Sequence, residues 1–266
     1  MALYSRLIEN VVNGEEYFAK VYTVNHKGRI NKRIDLLVAS AVPSEFPEEP
    51  TSYDLIGTYT SSQIFTAPET GYYQIDVHGA SGNGGSCQSG ADYGYWSDGD
   101  RYIETAYMAG GGGGGGSGFG CSRIKLNKGD TVKITIVSGG NTTVEINSTA
   151  DSYPSIIVTP GDNGTSGSNY GKTAGKGGKG GISSGGTVSN LTGNAGANGN
   201  TNTGSSGGAT VWAANGGSPA HSEGNTGGKG GYGSLWVTDG NLKTTPPTNG
   251  QPGFIKIYRG DTNIVA

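Results

Sequence analysis

The chain is poor in the residues that usually build a hydrophobic core. Leucine, isoleucine, valine and phenylalanine together number 46 of the 266 residues, about 17%, a fraction that is common among disordered proteins. Disordered chains usually also carry a high net charge, whereas the formal net charge here is only −3. Composition alone therefore does not place the chain in the disordered class.

Other absences exclude whole classes of protein. The sequence has no run of 18 or more apolar residues, so it predicts no membrane-spanning helix and no membrane insertion. Ten prolines are too few for collagen, which also needs glycine at strictly every third position. A pI near 5.6 argues against nucleic acid as the main partner.

The N-terminus has no readable export signal. The first ten residues, MALYSRLIEN, include Arg6 and Glu9 and contain no continuous apolar core, so we expect no export by the general secretory route. The only cysteines are Cys87 and Cys121. They can form a disulfide or remain free thiols, and the lack of an export signal favours free thiols.

Glycine is the residue in excess, and its distribution is uneven. The chain has 52 glycines, of which 16 fall in residues 79–120 and 28 in residues 161–253. Residues 1–78 contain four and residues 121–160 contain three. We interpret the two dense regions as glycine-rich insertions into ordinary sequence, the first of which includes the unbroken run Gly110 to Gly116.

Within the insertions, glycine often recurs at every third residue. A left-handed extended helix has this period, and its backbone groups must find hydrogen-bond partners in other segments. The alternative is a set of flexible loops, but the period favours a bundle of helices joined through their backbones. The glycines predicted to form its scaffold are Gly112, Gly115, Gly118, Gly193, Gly196, Gly199, Gly224, Gly227, Gly230 and Gly233.

The segments outside the insertions predict β-strands. Apolar residues alternate with polar ones in 73–77 and 132–136. Further strand candidates rich in β-branched or aromatic residues are 124–126, 156–158 and 254–258. No 12-residue stretch has a convincing helical period. The sequence therefore predicts an all-β fold.

We expect three parts along the chain. Residues 1–42 should form a small module with a hairpin, whose turn lies at residues 26–28. Residues 43–57 begin with PSEFPEEP, whose prolines and glutamates predict a stiff, solvated linker. Residues 58–266 should form the glycine-rich β domain.

Two motifs resemble strands of C1q/TNF-like jelly rolls: residues 65–77 (FTAPETGYYQIDV) and residues 128–132 (KGDTV). Combined with the glycine-rich insertions, they make the chain similar to glycine-rich receptor-binding adhesins at the tips of bacteriophage tail fibres. That resemblance implies a virion protein whose jelly-roll β-sandwich carries polyglycine II-type helices. It also implies a homotrimer and a host-surface glycan or protein as the ligand. Residues 1–42 match no motif of that family, and their attachment to other virion proteins is a separate inference.

Recognition is expected in the segments between the glycine helices. Aromatic rings beside carboxylates and arginine offer rigid apolar area with polar edges, which suits saccharides and protein surfaces. The alternative for each ring is packing against the bundle or another subunit. The candidates are Tyr93, Tyr95, Trp96, Asp98, Asp100, Arg101, Tyr102, Tyr107, Trp212 and His221, whereas Tyr170, Tyr232 and Trp236 are expected to be local packing residues.

Catalysis is not expected, and neither is a metal or a cofactor. The Gly-x-Ser-x-Gly match at residues 204–208 lacks the strand and helix that a nucleophile elbow requires. No cysteine or histidine spacing indicates zinc, and Asp76 and His78 are expected to be a solvated pair on one strand face. A capsid or head-fibre decoration protein stays open as an alternative. A glycan depolymerase that uses Asp98 and Asp100 is a weaker one.

Overall fold

The computed structural model describes residues 17–20, 38–41, 49–205, 208–236 and 241–260. These residues form strands, turns and extended segments without any helix, so the predicted all-β class is confirmed. Accordingly, this part of the chain has no helix long and apolar enough to cross a membrane.

Eighteen strands are formed by the described residues. In chain order they are β1 (Tyr17–Lys20), β2 (Val38–Ala41), β3 (Tyr53–Tyr59), β4 (Gln63–Thr66), β5 (Gly71–His78), β6 (Gln88–Tyr95), β7 (Arg101–Ala109), β8 (Phe119–Leu126), β9 (Thr131–Ile136), β10 (Thr142–Asn147), β11 (Ile156–Val158), β12 (Ser183–Ser184), β13 (Ser189–Leu191), β14 (Thr201–Gly204), β15 (Ala209–Val211), β16 (Tyr232–Leu235), β17 (Leu242–Thr245) and β18 (Phe254–Gly260).

The N-terminal unit is separate from the rest. The chain divides between residues 48 and 49 into two compact units. In the first, β1 and β2 form an antiparallel pair with Tyr17 opposite Ala41, and the predicted turn at 26–28 lies outside the described residues. The predicted linker extended too far, since β3 begins at Tyr53 and is a strand of the second unit.

Two five-stranded antiparallel sheets form the main core of the second unit. Their strand orders are β12-β11-β10-β9-β4 and β13-β8-β5-β18-β3, and all five segments predicted as strands lie within them. Side chains of both sheets meet in one apolar cluster, as in a β-sandwich. Its buried members are Ala67, Tyr73, Ile75, Val77, Ile124, Leu126, Val132, Ile134, Val144, Ile156, Val158, Ile255 and Ile257.

The turn between β8 and β9 is held by a buried carboxylate. Gly129 has a φ of 94°, which favours glycine. Asp130 accepts hydrogen bonds at Oδ2 from the backbone N–H groups of Asn127 (2.8 Å) and Thr149 (3.0 Å), and at Oδ1 from the Thr149 hydroxyl (2.9 Å). The predicted Lys-Gly-Asp turn is therefore present, and its aspartate ties two loops together.

Residues 110–117, the central segment, connect β7 to β8 and bond to six surrounding segments. Successive backbone N–H groups of the central segment donate to three of these segments in turn. Gly110 donates to the carbonyl of Asn200, Gly111 to that of Gly231 and Gly112 to that of Thr165. This order repeats from Gly113 onward, so the hydrogen bonds have a period of three residues. The six neighbours, which we call the ring segments, are residues 79–87, 159–167, 175–182, 193–200, 214–220 and 225–231.

The ring is closed by bonds between adjacent ring segments. Examples are Gly161 N–H to Ala80, Asp162 N–H to Lys179, Gly193 N–H to Gly181, Asn194 N–H to Ser218, Gly227 N–H to Gly217 and Gly228 N–H to Gly82, at 2.8–3.0 Å. Each ring segment therefore contacts the central segment and two neighbours, and its remaining side faces outward.

This arrangement explains where glycine is required. A Cβ added at any residue from Gly111 to Gly116 would fall well inside 3.0 Å of a neighbouring carbonyl oxygen, because the central segment has neighbours on all sides. In the ring segments, the third-residue glycines meet the central carbonyls; Gly193, Gly196, Gly199, Gly227 and Gly230 do so. Further ring-segment glycines, among them Gly84, Gly177 and Gly216, face an adjacent ring segment, where an added Cβ would lie 1.7–1.9 Å from a carbonyl oxygen. Side chains are accommodated at the outward-facing positions, such as Lys176, Lys179 and Lys229.

Three of the predicted scaffold glycines lie at the margins of this arrangement. Gly118 is the last residue before β8 and accepts a bond from Gly79 N–H. Gly224 N–H donates to His221 O in a turn. Gly233 lies outside the ring segments, in β16 opposite Val211.

Two small sheets lie beyond the N-terminal end of the central segment, and we call them the aromatic end. Their orders are β14-β7-β6 and β15-β16-β17. They share a second apolar cluster, made of Ile103, Ala106, Met108, Ala209, Val211 and Leu235. At about 3.1 Å per residue, the central segment separates this end from the sandwich by roughly 25 Å.

Candidate functional site

The main candidate site is the β6–β7 hairpin, which projects at the aromatic end. A tight turn joins its strands: Trp96 N–H donates to Asp100 O at 2.8 Å, and Gly99 N–H donates to Trp96 O at 2.9 Å. Gly99 has a φ of 94°, and Asp98 Oδ1 accepts from Asp100 N–H at 3.1 Å. Asp98 therefore shapes the turn.

The hairpin presents aromatic rings to solvent. Tyr95 is 69% exposed and Trp96 60% exposed. The Trp96 ring lies against Tyr102 with 4.6 Å between centroids, and the Arg101 guanidinium carbon lies 3.5 Å from the Tyr93 ring centroid. The Trp96 and Tyr102 rings thus pack against each other, and Arg101 packs against Tyr93, while the outer faces of the rings stay accessible to solvent.

Tyr107 belongs to a different group at the base of the hairpin. Its hydroxyl donates to Asp92 Oδ2 at 2.6 Å, and this bond with the carboxylate raises the Tyr107 pKa. Lys172 Nζ lies 4.1 Å from the Tyr107 ring centroid and 3.9 Å from Asp92 Oδ2. The predicted cluster therefore divides into a hairpin tip and a base.

Further aromatic residues lie at the same end. Trp212, predicted as a candidate, is 72% exposed, and its carbonyl lies near Gly110 at the start of the central segment. Tyr170 is 77% exposed and Trp236 is 47% exposed, so expecting these two to pack locally was wrong. Sequence offered a usable signal only for Tyr170, which lies between polar residues and glycine, whereas Trp236 stands between Leu235 and Val237.

His221 lies away from these residues. Its ring stacks on Phe119 at 4.4 Å, and Phe119 is the first residue of β8 in the sandwich. Ring segment 214–220 lies between Trp212 and His221, and its seven residues span roughly 22 Å at about 3.1 Å per residue. The structure therefore separates His221 from the other predicted binding residues and places it at the sandwich end.

His78 is buried, contrary to the expectation of a solvated pair with Asp76. Its side chain has no solvent exposure, and Asp76 is only 5% exposed. In the two strands that flank β5, Phe119 of β8 and Phe254 of β18 are the residues paired with His78. The Phe254 ring stacks on the His78 ring with 4.2 Å between their centroids. Burial, followed by the nearby His221, lowers the His78 pKa to about 4.

Three potential ligand groups converge at this histidine. The ligand atoms of His78, His221 and Glu223 all lie within 4.8 Å of one another, although the sequence gave no spacing that suggested it. Neither ring nitrogen of His78 has a hydrogen-bond partner in the described protein. Glu223 Oε2 forms an ion pair with Lys256 Nζ at 2.9 Å, and this bond lowers the Glu223 pKa.

Both cysteines are free thiols. Cys121 is 4% exposed, and burial raises its pKa well above the usual range. Cys87 is half-buried, with its thiol donating to Tyr232 O at 3.4 Å, and burial raises its pKa as well. The prediction of free thiols is therefore confirmed.

Comparisons with known proteins gave no relative: no family model, no curated protein and no solved structure matches this chain.

Proposed function

We propose that this protein is a receptor-binding adhesin of a bacteriophage tail fibre or tail tip. The observation that carries the proposal is the segregation of exposed aromatic rings to one end of a backbone-bonded bundle. All three tryptophans, Trp96, Trp212 and Trp236, lie exposed at the aromatic end. The exposed apolar residues of the sandwich strands, such as Leu55 and Ile64, are aliphatic, and its Tyr73 ring is buried in the core.

In this proposal the glycine-rich segments form a polyglycine II-type bundle inserted into a C1q/TNF-like jelly roll. The three-residue period of the hydrogen bonds supports the helix type, and the two sheets with a shared core support the sandwich. Such a bundle is a stiff support because each of its segments is hydrogen-bonded to at least three others. It would hold the aromatic end away from the sandwich and from the rest of the particle.

The proposed ligand is a saccharide or protein on the host surface. Trp96 and Tyr102, whose rings are inclined by 38°, offer adjoining aromatic faces, and Arg101 with Asp100 offers polar groups beside them. Rigid aromatic rings bind such surfaces with little loss of side-chain entropy. The protein acts by binding, without catalysis, as a homotrimer in the virion, and residues 1–42 attach it to other virion proteins.

The test is binding of the purified protein to candidate host cells and competition with phage adsorption. Trp96→Ala should reduce binding at least tenfold while changing the melting temperature by less than about 2 °C, since most of the ring is exposed. Ile64→Ala is the matched control, because Ile64 is 65% exposed but lies in β4 of the sandwich.

Each other result assigns a different role. Equal binding by both variants contradicts recognition at the hairpin tip, and a large loss of stability in Trp96→Ala assigns that ring to packing. Binding to phage particles alone indicates a decoration protein. Release of soluble saccharide indicates a depolymerase.

A further inference from the structure

We propose that His78, His221 and Glu223 form a binding site for a divalent transition-metal cation, with Zn²⁺ the best match. Two imidazoles and one carboxylate are a ligand set that zinc uses with water in the fourth position. The site lies where the ring segments meet the sandwich, away from the aromatic end, and the inference does not depend on the adhesin proposal.

The spacing of the three side chains is close to that of a zinc site. The three ligand atoms lie within 4.8 Å of one another, whereas ligands about 2.1 Å from a tetrahedral zinc lie roughly 3.4 Å apart. Rotation of the His221 and Glu223 side chains can close that difference, since both belong to the loop after a ring segment and neither is in the core. His78 is the fixed member, held between Phe119 and Phe254.

The two ring nitrogens of His78 are buried without hydrogen-bond partners in the described part of the chain. A neutral, fully buried imidazole carries one donor and one acceptor, and a buried polar atom without a partner has an energetic cost. A cation bound to one nitrogen would satisfy it and offset part of this cost.

Lys256 is the natural competitor for the same carboxylate. Its ammonium lies 2.9 Å from Glu223 Oε2, so the lysine and a bound cation compete for the negative charge of the same carboxylate. Removal of the Lys256 charge should therefore strengthen metal binding. If the ion pair had no connection with a metal site, the same change would leave metal affinity unchanged.

The experiment is calorimetric titration of the chelator-treated full chain with Zn²⁺, repeated with Co²⁺ to read its visible absorption. We expect one Zn²⁺ per chain. His221→Ala and Glu223→Gln should weaken binding on the order of 100-fold, and Lys256→Gln should strengthen it several-fold. His78→Phe, which keeps an aromatic ring in the stack, should abolish it.

The matched control is Glu145→Gln. Glu145 also forms a surface ion pair, with Lys133 Nζ at 3.0 Å, but it lies in β10, outside the cluster. It should bind Zn²⁺ like the wild type. Thermal melts without metal establish that each variant is folded before titration. The proposal is overturned if the wild type binds no Zn²⁺ below millimolar concentration, or if folded His78→Phe and Glu223→Gln retain wild-type affinity.

Discussion

A methyl group added at Gly227 should disrupt the bundle, and its cost can be worked out from the backbone contacts. A Cβ there would overlap the carbonyl of Gly114 and lie 2.9 Å from Gly115 O. No left-handed φ is involved at this position, so alanine meets a steric barrier and no intrinsic backbone strain. The ring segment 225–231 must therefore move away from the central segment by more than about 1 Å.

That movement breaks or lengthens three hydrogen bonds: Gly227 N–H to Gly217 (2.9 Å), Gly114 N–H to Gly228 (2.8 Å) and Gly228 N–H to Gly82 (2.8 Å). Each buried backbone group left unpaired costs about 1–3 kcal/mol. Alanine also lowers the conformational entropy of the unfolded chain, which stabilises the folded state by about 0.4–1 kcal/mol. Three such groups cost about 3–9 kcal/mol if all are left unpaired, so after this stabilisation is subtracted we expect Gly227→Ala to lower the free energy of unfolding by about 2–8 kcal/mol, and Gly227→Val by more.

Urea denaturation followed by circular dichroism measures this change. Two controls isolate its cause. Gly71→Ala adds a methyl where nothing lies within 4 Å, and Thr226→Val changes the exposed neighbouring residue; both should stay within about 1 kcal/mol of the wild type. If Gly227→Ala costs no more than these controls, the ring segments are not closely packed on the central segment.

Two further predictions concern the sandwich and the thiols. The pKa of Asp130 is subject to burial, which raises it, but the hydrogen bonds from Thr149 and Asn127 outweigh burial and leave it lowered. Asp130→Asn should therefore cost about 1.5–3 kcal/mol at pH 7, and the difference from wild type should shrink as the pH falls below about 3.9; a constant difference down to pH 2 would contradict this. A thiol reagent should modify at most Cys87 in the native protein and both cysteines after unfolding without reductant, whereas rapid native reaction of Cys121 would contradict its burial.

Much of the fold was predictable because its signals are local. The two-residue alternation around Ile75 and Ile134 identified strands whose apolar faces meet in the core. Glycine at every third residue indicated segments that need neighbours, and the hydrogen bonds repeat with that period. The unbroken run Gly110 to Gly116 differs from the other segments because it alone has neighbours on all sides.

The candidate site was predictable only in part. The hairpin tip was found because Tyr95, Trp96 and Arg101 are close in sequence and lie in one excursion between glycine-rich stretches. The exposure of Tyr170 and Trp236 was missed, since whether a ring packs or projects depends on segments distant in sequence. Trp212 was predicted as a candidate, but its position near the start of the central segment could not be predicted, because it follows from the pairing of the ring segments.

Sequence by itself determined the all-β class, the principal strands and part of the set of positions where only glycine fits, because each follows from a period of two or three residues along one segment. Tertiary structure decided which side chains meet. Alternation placed His78 on a solvent face, but Phe119 and Phe254 on adjacent strands cover it, and the end of a ring segment brings His221 and Glu223 against it. No local pattern encodes that meeting, because the two histidines come from segments joined only by the backbone bonds of the bundle.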